Sequence, residues 1–335
     1  MHLNYNLPKN ILAWYDNHKR SLPWRVGKKS PKNLYYRLLS EFMLQQTQVK
    51  TVIPYFEKFT TEFPNLHSLS KCSEAKVLKL WEGLGYYRRA RNLLSTVKIL
   101  VKEKKGKLPQ KLEEIKKLPG IGDYTGNALL ALVHNVPTIA LDGNVKRVLS
   151  RVLDKNEAKI NFNKLVDLNK KNLFNTKRNS DFVEAMMEFG ALVCKPKIPE
   201  CNSCSINKIC KSYKLKKKFK SSKKTKILKK NYDIFCYLNK EKKKIALTKN
   251  NKLGFLNRFI LPEVKQVSNK KKNKKWIFLR NYQNAISNKK LNINLYYKFS
   301  KKIPQKFKWY SLESNKEFIP TFTKKIFKHL SHLNL

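Results

Sequence analysis

Apolar residues recur at every third or fourth position through the first 210 residues, the period of helices that bury one face. That period predicts helices over residues 7–18, 35–45, 49–63, 75–85, 87–101, 112–118, 124–134, 145–153, 162–173 and 181–193. Local signals mark some of their ends: Pro8 opens the first, Ser73 caps the fourth and Gly85 stops it. Nothing in this region reads as a sheet. After residue 231 the pattern becomes short runs of β-branched and aromatic residues, YDIFCYL, KIALT, KWIFLR, LNINLYYKF and FKWYSL, followed by a helical stretch over 321–330. The two regions are joined by KSYKLKKKFKSSKKTKILKK, which is basic, of low complexity and without a core-forming pattern. The chain therefore divides into an all-α domain over 1–212, a basic linker over 213–231 and a small α+β domain over 232–335.

A length of 335 residues is enough for two such cores. Charge alone decides less. Lys+Arg 73 against Asp+Glu 23 gives a formal net charge of +50, the signature of a phosphate-binding surface. Lys and Asn are abundant along the whole chain, however, and a solvated Lys-rich surface explains the excess equally well. Arginine is more selective: Arg88, Arg89, Arg91 and Arg147 fall in or near motifs, and only Arg258 and Arg280 lie beyond residue 178. A chain that defaults to Lys and uses Arg locally needs the planar fork there. No apolar run is long enough to span a bilayer and the N-terminus lacks a signal-peptide core, so a cytoplasmic location with no membrane partner is expected.

Candidate chemistry begins with LPGIGDYTG at 118–126, a Pro-Gly hairpin between two helical patterns. Such a hairpin points successive backbone N–H groups outward, which grips a phosphate without side chains and makes Leu118, Gly120 and Gly122 candidate DNA contacts. Asp142, in LDGNVKR, follows closely. A carboxylate set near a DNA backbone needs a reason, and stabilising a developing cation supplies one. Glu41 is the second acid of interest: it lies between Leu38, Leu39, Phe42 and Met43, so its carboxyl is expected to be desolvated and its pKa raised.

Four of the six cysteines, Cys194, Cys201, Cys204 and Cys210, have the spacing C-x6-C-x2-C-x5-C. Structural zinc sites pair two close couples across a longer gap, whereas four thiolates in one short loop suit a compact iron–sulfur cluster; zinc and buried free thiols remain the alternatives. Cys72 and Cys236, like Trp24 and Trp81, sit in apolar patterns and read as core residues.

This cysteine spacing at the end of an all-helical domain, with LPGIG and LDGNVKR upstream, resembles the endonuclease III-type helix-hairpin-helix DNA glycosylases. The resemblance runs over residues 7–210 and implies a six-helix barrel plus an iron–sulfur module holding a structural 4Fe-4S cluster. Within that superfamily SEFMLQQTQV at 40–49, LPW at 22–24, VIPYF at 52–56 and GLGYYRRARNL at 83–93 are similar to the MutY-type adenine glycosylases. That similarity makes Glu41 the catalytic acid, which protonates a flipped-out adenine and later activates water. Asp142 then stabilises the oxocarbenium-like sugar and Asn144 orients it. Bifunctional relatives carry a Schiff-base Lys where this chain has Tyr124, so excision without strand cleavage is implied, with Tyr124 near the sugar. By the same similarity Gln46 and Tyr86 wedge into the base stack, Arg25 and Glu184 contact adenine, and Lys146 and Arg147 touch phosphate.

In the family a MutT-like (Nudix-like) domain reads 8-oxoguanine opposite the target adenine. LGFLNRFILPE at 253–263 falls at its Gly-rich stretch but keeps only Gly254, and its Phe-Ser-His loop corresponds to Ile286, Ser287 and Asn288. Ser287 is thus the one candidate lesion contact, and the missing His weakens the implied discrimination. The expected activity is removal of adenine mispaired with 8-oxoguanine or guanine in double-stranded DNA, by a monomer. Two rivals are an endonuclease III-like pyrimidine-lesion glycosylase with lyase activity and a non-catalytic cluster-bearing DNA-binding protein.

Overall fold

The computed structural model describes residues 2–219, 227–241, 243–249, 259–267, 275–286, 289–313 and 319–333. They fall into two compact units, Met1–Ser222 and Lys223–Leu335. The first is helical: α1 Leu7–His18, α2 Asn33–Leu44, α3 Val49–Glu62, α4 Leu66–Ser70, α5 Glu74–Leu80, α6 Arg88–Glu103, α7 Leu112–Ile115, α8 Asp123–His134, α9 Gly143–Leu153, α10 Phe162–Leu168, α11 Lys170–Leu173, α12 Asn179–Leu192 and α13 Lys211–Lys214. Among the described residues no helix is long and apolar enough to cross a membrane.

The apolar period locates these helices well and fails where side chains intervene. The expected helix over 162–173 breaks at Asn169, whose buried amide donates to Leu165 O at 2.8 Å while its Oδ1 accepts from Leu3 N at 2.6 Å. The expected helix over 75–85 stops at Leu80, because Gly83 and Gly85 turn the chain with φ of +100° and +74° and the Trp81 indole donates to Gly85 O at 3.0 Å. Both α4 and α13 are too short to show a period, although α4 carries its own capping box between Asn65 and Ser68.

Two cores build the helical unit. One joins α1 to α9–α12 through Leu7, Ile11, Val148, Leu149, Phe182 and Phe189. The other gathers α2, α3 and α6 around edge-to-face aromatic contacts, Trp24 on Phe56 and Phe59 on Trp81. A seam of small residues, Ala128, Ala131, Ala140 and Val183, lets α8 and α12 approach, with Tyr124 and Met187 packed against it.

The second unit is a twisted sheet covered by α14 Thr321–Leu330. Strand β1 Leu228–Asn239 lies at its centre, parallel to β6 Lys289–Phe299 and antiparallel to both β2 Lys244–Lys249 and β4 Glu263–Gln266. The short β3 Ile260–Leu261, β5 Ile277–Ile286 and β7 Lys308–Ser311 complete it, in the order β3-β2-β1-β6-β5 with β7 on β2. Phe322, Ile326 and Leu330 of α14 pack on Ile234, Cys236, Leu238, Ile293 and Leu295. Residues 228–231, expected in the linker, instead pair with Lys289–Asn292. Their lysines hide the strand from a hydrophobic reading, since here the backbone ladder rather than burial holds it. The linker expected over 213–231 also takes in the end of α13.

Candidate active site and cysteine centre

Helix α2 is buried on nearly every side, and this is what places Glu41. The carboxyl is 5% exposed, among Leu38, Leu39, Phe42 and Met43, which have no exposure at all. Burial pushes its pKa up to about 7, against the Arg37 guanidinium one turn back and the Tyr124 hydroxyl, which favour the anion. The carboxylates of Asp142 and Glu184 push it further up. Tyr124 sits in the first turn of α8, interacting with Glu41 and directed also at Met187 Sδ at 3.4 Å.

Asp142 caps α9: its Oδ1 accepts from Val145 N at 2.7 Å and its Oδ2 from Asn144 Nδ2 at 3.1 Å. Burial raises its pKa, while those hydrogen bonds oppose the rise. Asn144 in turn is fixed from behind, because Gly190 lets α12 approach so closely that a Cβ there would lie 2.6 Å from Asn144 Cβ. Arg147 completes the buttress. Its Nε donates to Cys194 O at 2.8 Å, Nη1 to Gly143 O at 3.2 Å, and Nη2 to Asn144 Oδ1 at 2.8 Å and Gly190 O at 2.7 Å. Through these bonds Arg147, expected as a phosphate contact, also clamps α9 to the end of α12. Lys146 keeps its ammonium over the Phe162 ring at 5.6 Å and is half-buried.

Arg25 and Glu184 do come together, at 3.3 Å, inside a larger network. Glu184 Oε1 also accepts from Arg37 Nη1 at 2.5 Å, and its Oε2 accepts from the Tyr15 hydroxyl at 2.8 Å. One turn on, Glu188 accepts from Arg20 Nε at 2.7 Å and Arg25 Nη2 at 3.1 Å. Burial alone would raise the Glu188 pKa, but these guanidinium groups hold it down at about 2. Sequence reading missed Arg20, Arg37 and Glu188; the available signal was the i, i+4 spacing of two acids on one face of α12.

The hairpin has the expected shape. Gly120 takes φ +82° and lies so close to α2 and α6 that a Cβ would meet Asn92 Cβ at 2.7 Å and Phe42 Cε1 at 2.9 Å. Gly122 is exposed, and α8 begins there without a side-chain cap, which leaves its first N–H groups for an outside acceptor. Leu118 is buried, with its N–H donating to Ile115 O at 3.0 Å and its carbonyl accepting from Ile121 N at 3.2 Å. Gln46 and Tyr86 are both exposed and both left-handed, with φ of +57° and +47°. Ser287 lies outside the described residues.

The four cysteines line one largely apolar cavity with Val148, Phe189 and Ile206. Burial raises Cys201, Cys204 and Cys210 above the usual thiol range, Cys204 to about 12, and each of the three also feels Cys194. Arg151, which the sequence reading did not single out, reaches Cys194 Sγ at 3.4 Å and Lys195 O at 2.7 Å. Among the described residues no three His, Cys, Asp or Glu side chains form a ligand set for a single metal ion.

A description of the HhH-GPD superfamily of base excision DNA repair proteins matches residues 39–168. The chain is 36% identical over 345 aligned residues to an adenine DNA glycosylase of Buchnera aphidicola subsp. Baizongia pistaciae, covering 97% of both chains. It is 40% identical over 215 residues to the adenine DNA glycosylase of Rattus norvegicus, covering 62% of this chain and 41% of the rat protein. Among solved structures, a thermostable thymine-DNA glycosylase is similar over 62% of this chain and 95% of its own, with 25% identity and a TM-score of 0.54. Matched over 97% of its length, and with Tyr124 and Asp142 both acting on the buried Glu41 carboxyl, the chain belongs to the adenine DNA glycosylase family.

Proposed function

We propose that the protein is a monofunctional glycosylase that hydrolyses the N-glycosidic bond of adenine mispaired with 8-oxoguanine or guanine in duplex DNA. The observation that carries this reading is the electrostatic convergence of Glu41, Tyr124 and Asp142. A carboxyl with pKa about 7 holds a proton near neutral pH and delivers it to N7 of a flipped adenine, which turns the base into a leaving group. Asp142, held by Val145 and Asn144, faces the sugar as positive charge develops there. Glu41, now ionised, takes a proton from the attacking water. Arg25 and Glu184 line the base pocket, Lys146 and the uncapped start of α8 take backbone phosphates, and Gln46 and Tyr86 enter the stack. Incubation with duplexes that differ only in the base opposite adenine, followed by alkaline cleavage of abasic sites, is expected to yield strand breaks opposite 8-oxoguanine and guanine. Release of pyrimidine lesions, or binding without release, would overturn the reading. Borohydride is expected to trap no covalent adduct, because Tyr124 offers no amine.

Cys194, Cys201, Cys204 and Cys210 would hold a 4Fe-4S cluster. Four thiols from one short loop gathered around a single apolar cavity suit a compact cubane. Such a cluster would supply a covalent cross-link for the loop after α12, where Arg151 already reaches Cys194 Sγ at 3.4 Å. The purified protein is expected to contain iron, and Cys204→Ala to lose it together with about 3 kcal/mol or more of stability. Equal iron content in parent and variant argues against the assignment. The sheet of the second unit, with α14 on one face, fits a MutT-like module that reads the base opposite adenine.

A further inference from the structure

Arg89 is 7% exposed in a chain whose basic residues are mostly lysine, and among the described residues no carboxylate is paired with it. Its partners are carbonyls at the end of α2 and in the turn before Tyr86, together with the Thr47 hydroxyl. Nη1 reaches Phe42 O at 3.0 Å, Met43 O at 2.7 Å and Gln45 O at 2.5 Å, capping the C-terminal end of α2. Nη2 reaches Thr47 Oγ1 at 3.1 Å on the far side of Gln46, then Leu84 O and Gly85 O, both at 3.3 Å, just before Tyr86. The guanidinium also lies 5.4 Å from the centroids of both the Trp81 and Tyr86 rings. One planar fork therefore grips the residues flanking Gln46 and the residue preceding Tyr86.

Gln46 and Tyr86 are the two residues near this site that combine exposure with a left-handed backbone, a conformation that costs roughly 1 kcal/mol or more for a residue other than glycine and persists only where the surroundings impose it. A lysine could not impose it on both, since a single ammonium lacks the flat, two-ended donor array. Burial pushes the Arg89 pKa down to about 10, still high enough to keep the charge at neutral pH. The dipole at the end of α2 favours that charge.

We propose that Arg89 is a positioning residue that locks the Gln46 and Tyr86 loops into one rigid two-pronged wedge, so that its contribution falls on extrusion of the base rather than on bond cleavage. The proposal rests on the glycosylase reading above. It predicts a dependence on how hard the adenine is to extrude, because a misplaced wedge matters only while pairing opposes flipping.

The test compares single-turnover release of adenine opposite guanine with release of adenine opposite a tetrahydrofuran abasic analogue, where no partner base holds it. Arg89→Lys is expected to lose roughly tenfold or more on the mispair and about threefold or less on the abasic duplex. Thr47→Val, which removes one grip on the Gln46 loop alone, is expected to shift the same ratio in the same direction by a smaller factor. In a Gln46→Ala/Tyr86→Ala background, Arg89→Lys is expected to leave the ratio unchanged. Equal losses on both duplexes, or a Thr47→Val ratio equal to the parent's, would overturn the proposal, and the Thr47 result decides if Arg89→Lys does not fold. A parent protein that releases adenine from neither duplex would instead overturn the glycosylase reading itself.

Discussion

Glu41→Gln lowers the single-turnover rate of adenine release by roughly 10²–10⁴-fold, the range for loss of a positioned general acid. Glutamine keeps the shape and removes the proton, so binding to the mispaired duplex is expected to stay near that of the parent. Asp142→Asn is expected to cost on the order of 10²–10³-fold by removing the charge opposite the sugar while keeping part of the α9 cap. If both variants stay within a few-fold of the parent, the assignment of these acids is wrong. The pH profile carries the same information. Glu41 is protonated below about 7, so the rate is expected to fall as pH rises through that value, and the variant to lose that limb.

The same group makes a stability prediction of opposite sign to the activity loss. Its folded pKa of about 7 exceeds the ordinary 4.5, so the folded state holds the proton more tightly than the unfolded chain. Stability associated with Glu41 is fully present below 4.5 and is lost as pH rises through about 7. Above that pH the parent carries a buried, poorly solvated charge, and Glu41→Gln is expected to be more stable by up to about 3 kcal/mol. Thermal unfolding at pH 8 checks this; a variant no more stable than the parent there would mean that Glu41 is well solvated.

Glu188→Ala is expected to remove about 3–5 kcal/mol at neutral pH, because it strands Arg20 and Arg25 beside a buried site. Here the sign runs the other way. The arginines hold the folded pKa at about 2, below the ordinary 4.5, so the stabilisation is present above 4.5 and is lost as pH falls toward 2. Denaturant midpoints of parent and variant are thus expected to differ widely at pH 7 and to converge near pH 2. A difference of less than about 1 kcal/mol at pH 7 would show that the pair contributes no more than a surface salt bridge. Because Arg25 also touches Glu184, the loss is expected to reach the base pocket and slow excision as well.

Most of the helical unit was legible in the sequence because each helix buries a stripe, and the stripe is a local pattern. Glu41 was legible for the same reason, as an acid enclosed by Leu38, Leu39, Phe42 and Met43. Less visible were groups whose partners lie far along the chain. Arg37 meets Glu184 across 147 positions and Arg20 meets Glu188 across 168, and no local rule links them. The carbonyls from two helices and a loop that Arg147 binds were equally invisible in its sequence neighbourhood. Strands β3 and β4 were missed because two and four residues carry no readable alternation.

Arg147 joins the carbonyl of Cys194 to the side chain of Asn144, and Asn144 holds Asp142. The cysteine loop is thus continuous, through three hydrogen bonds of 2.8, 2.8 and 3.1 Å, with the cap of α9.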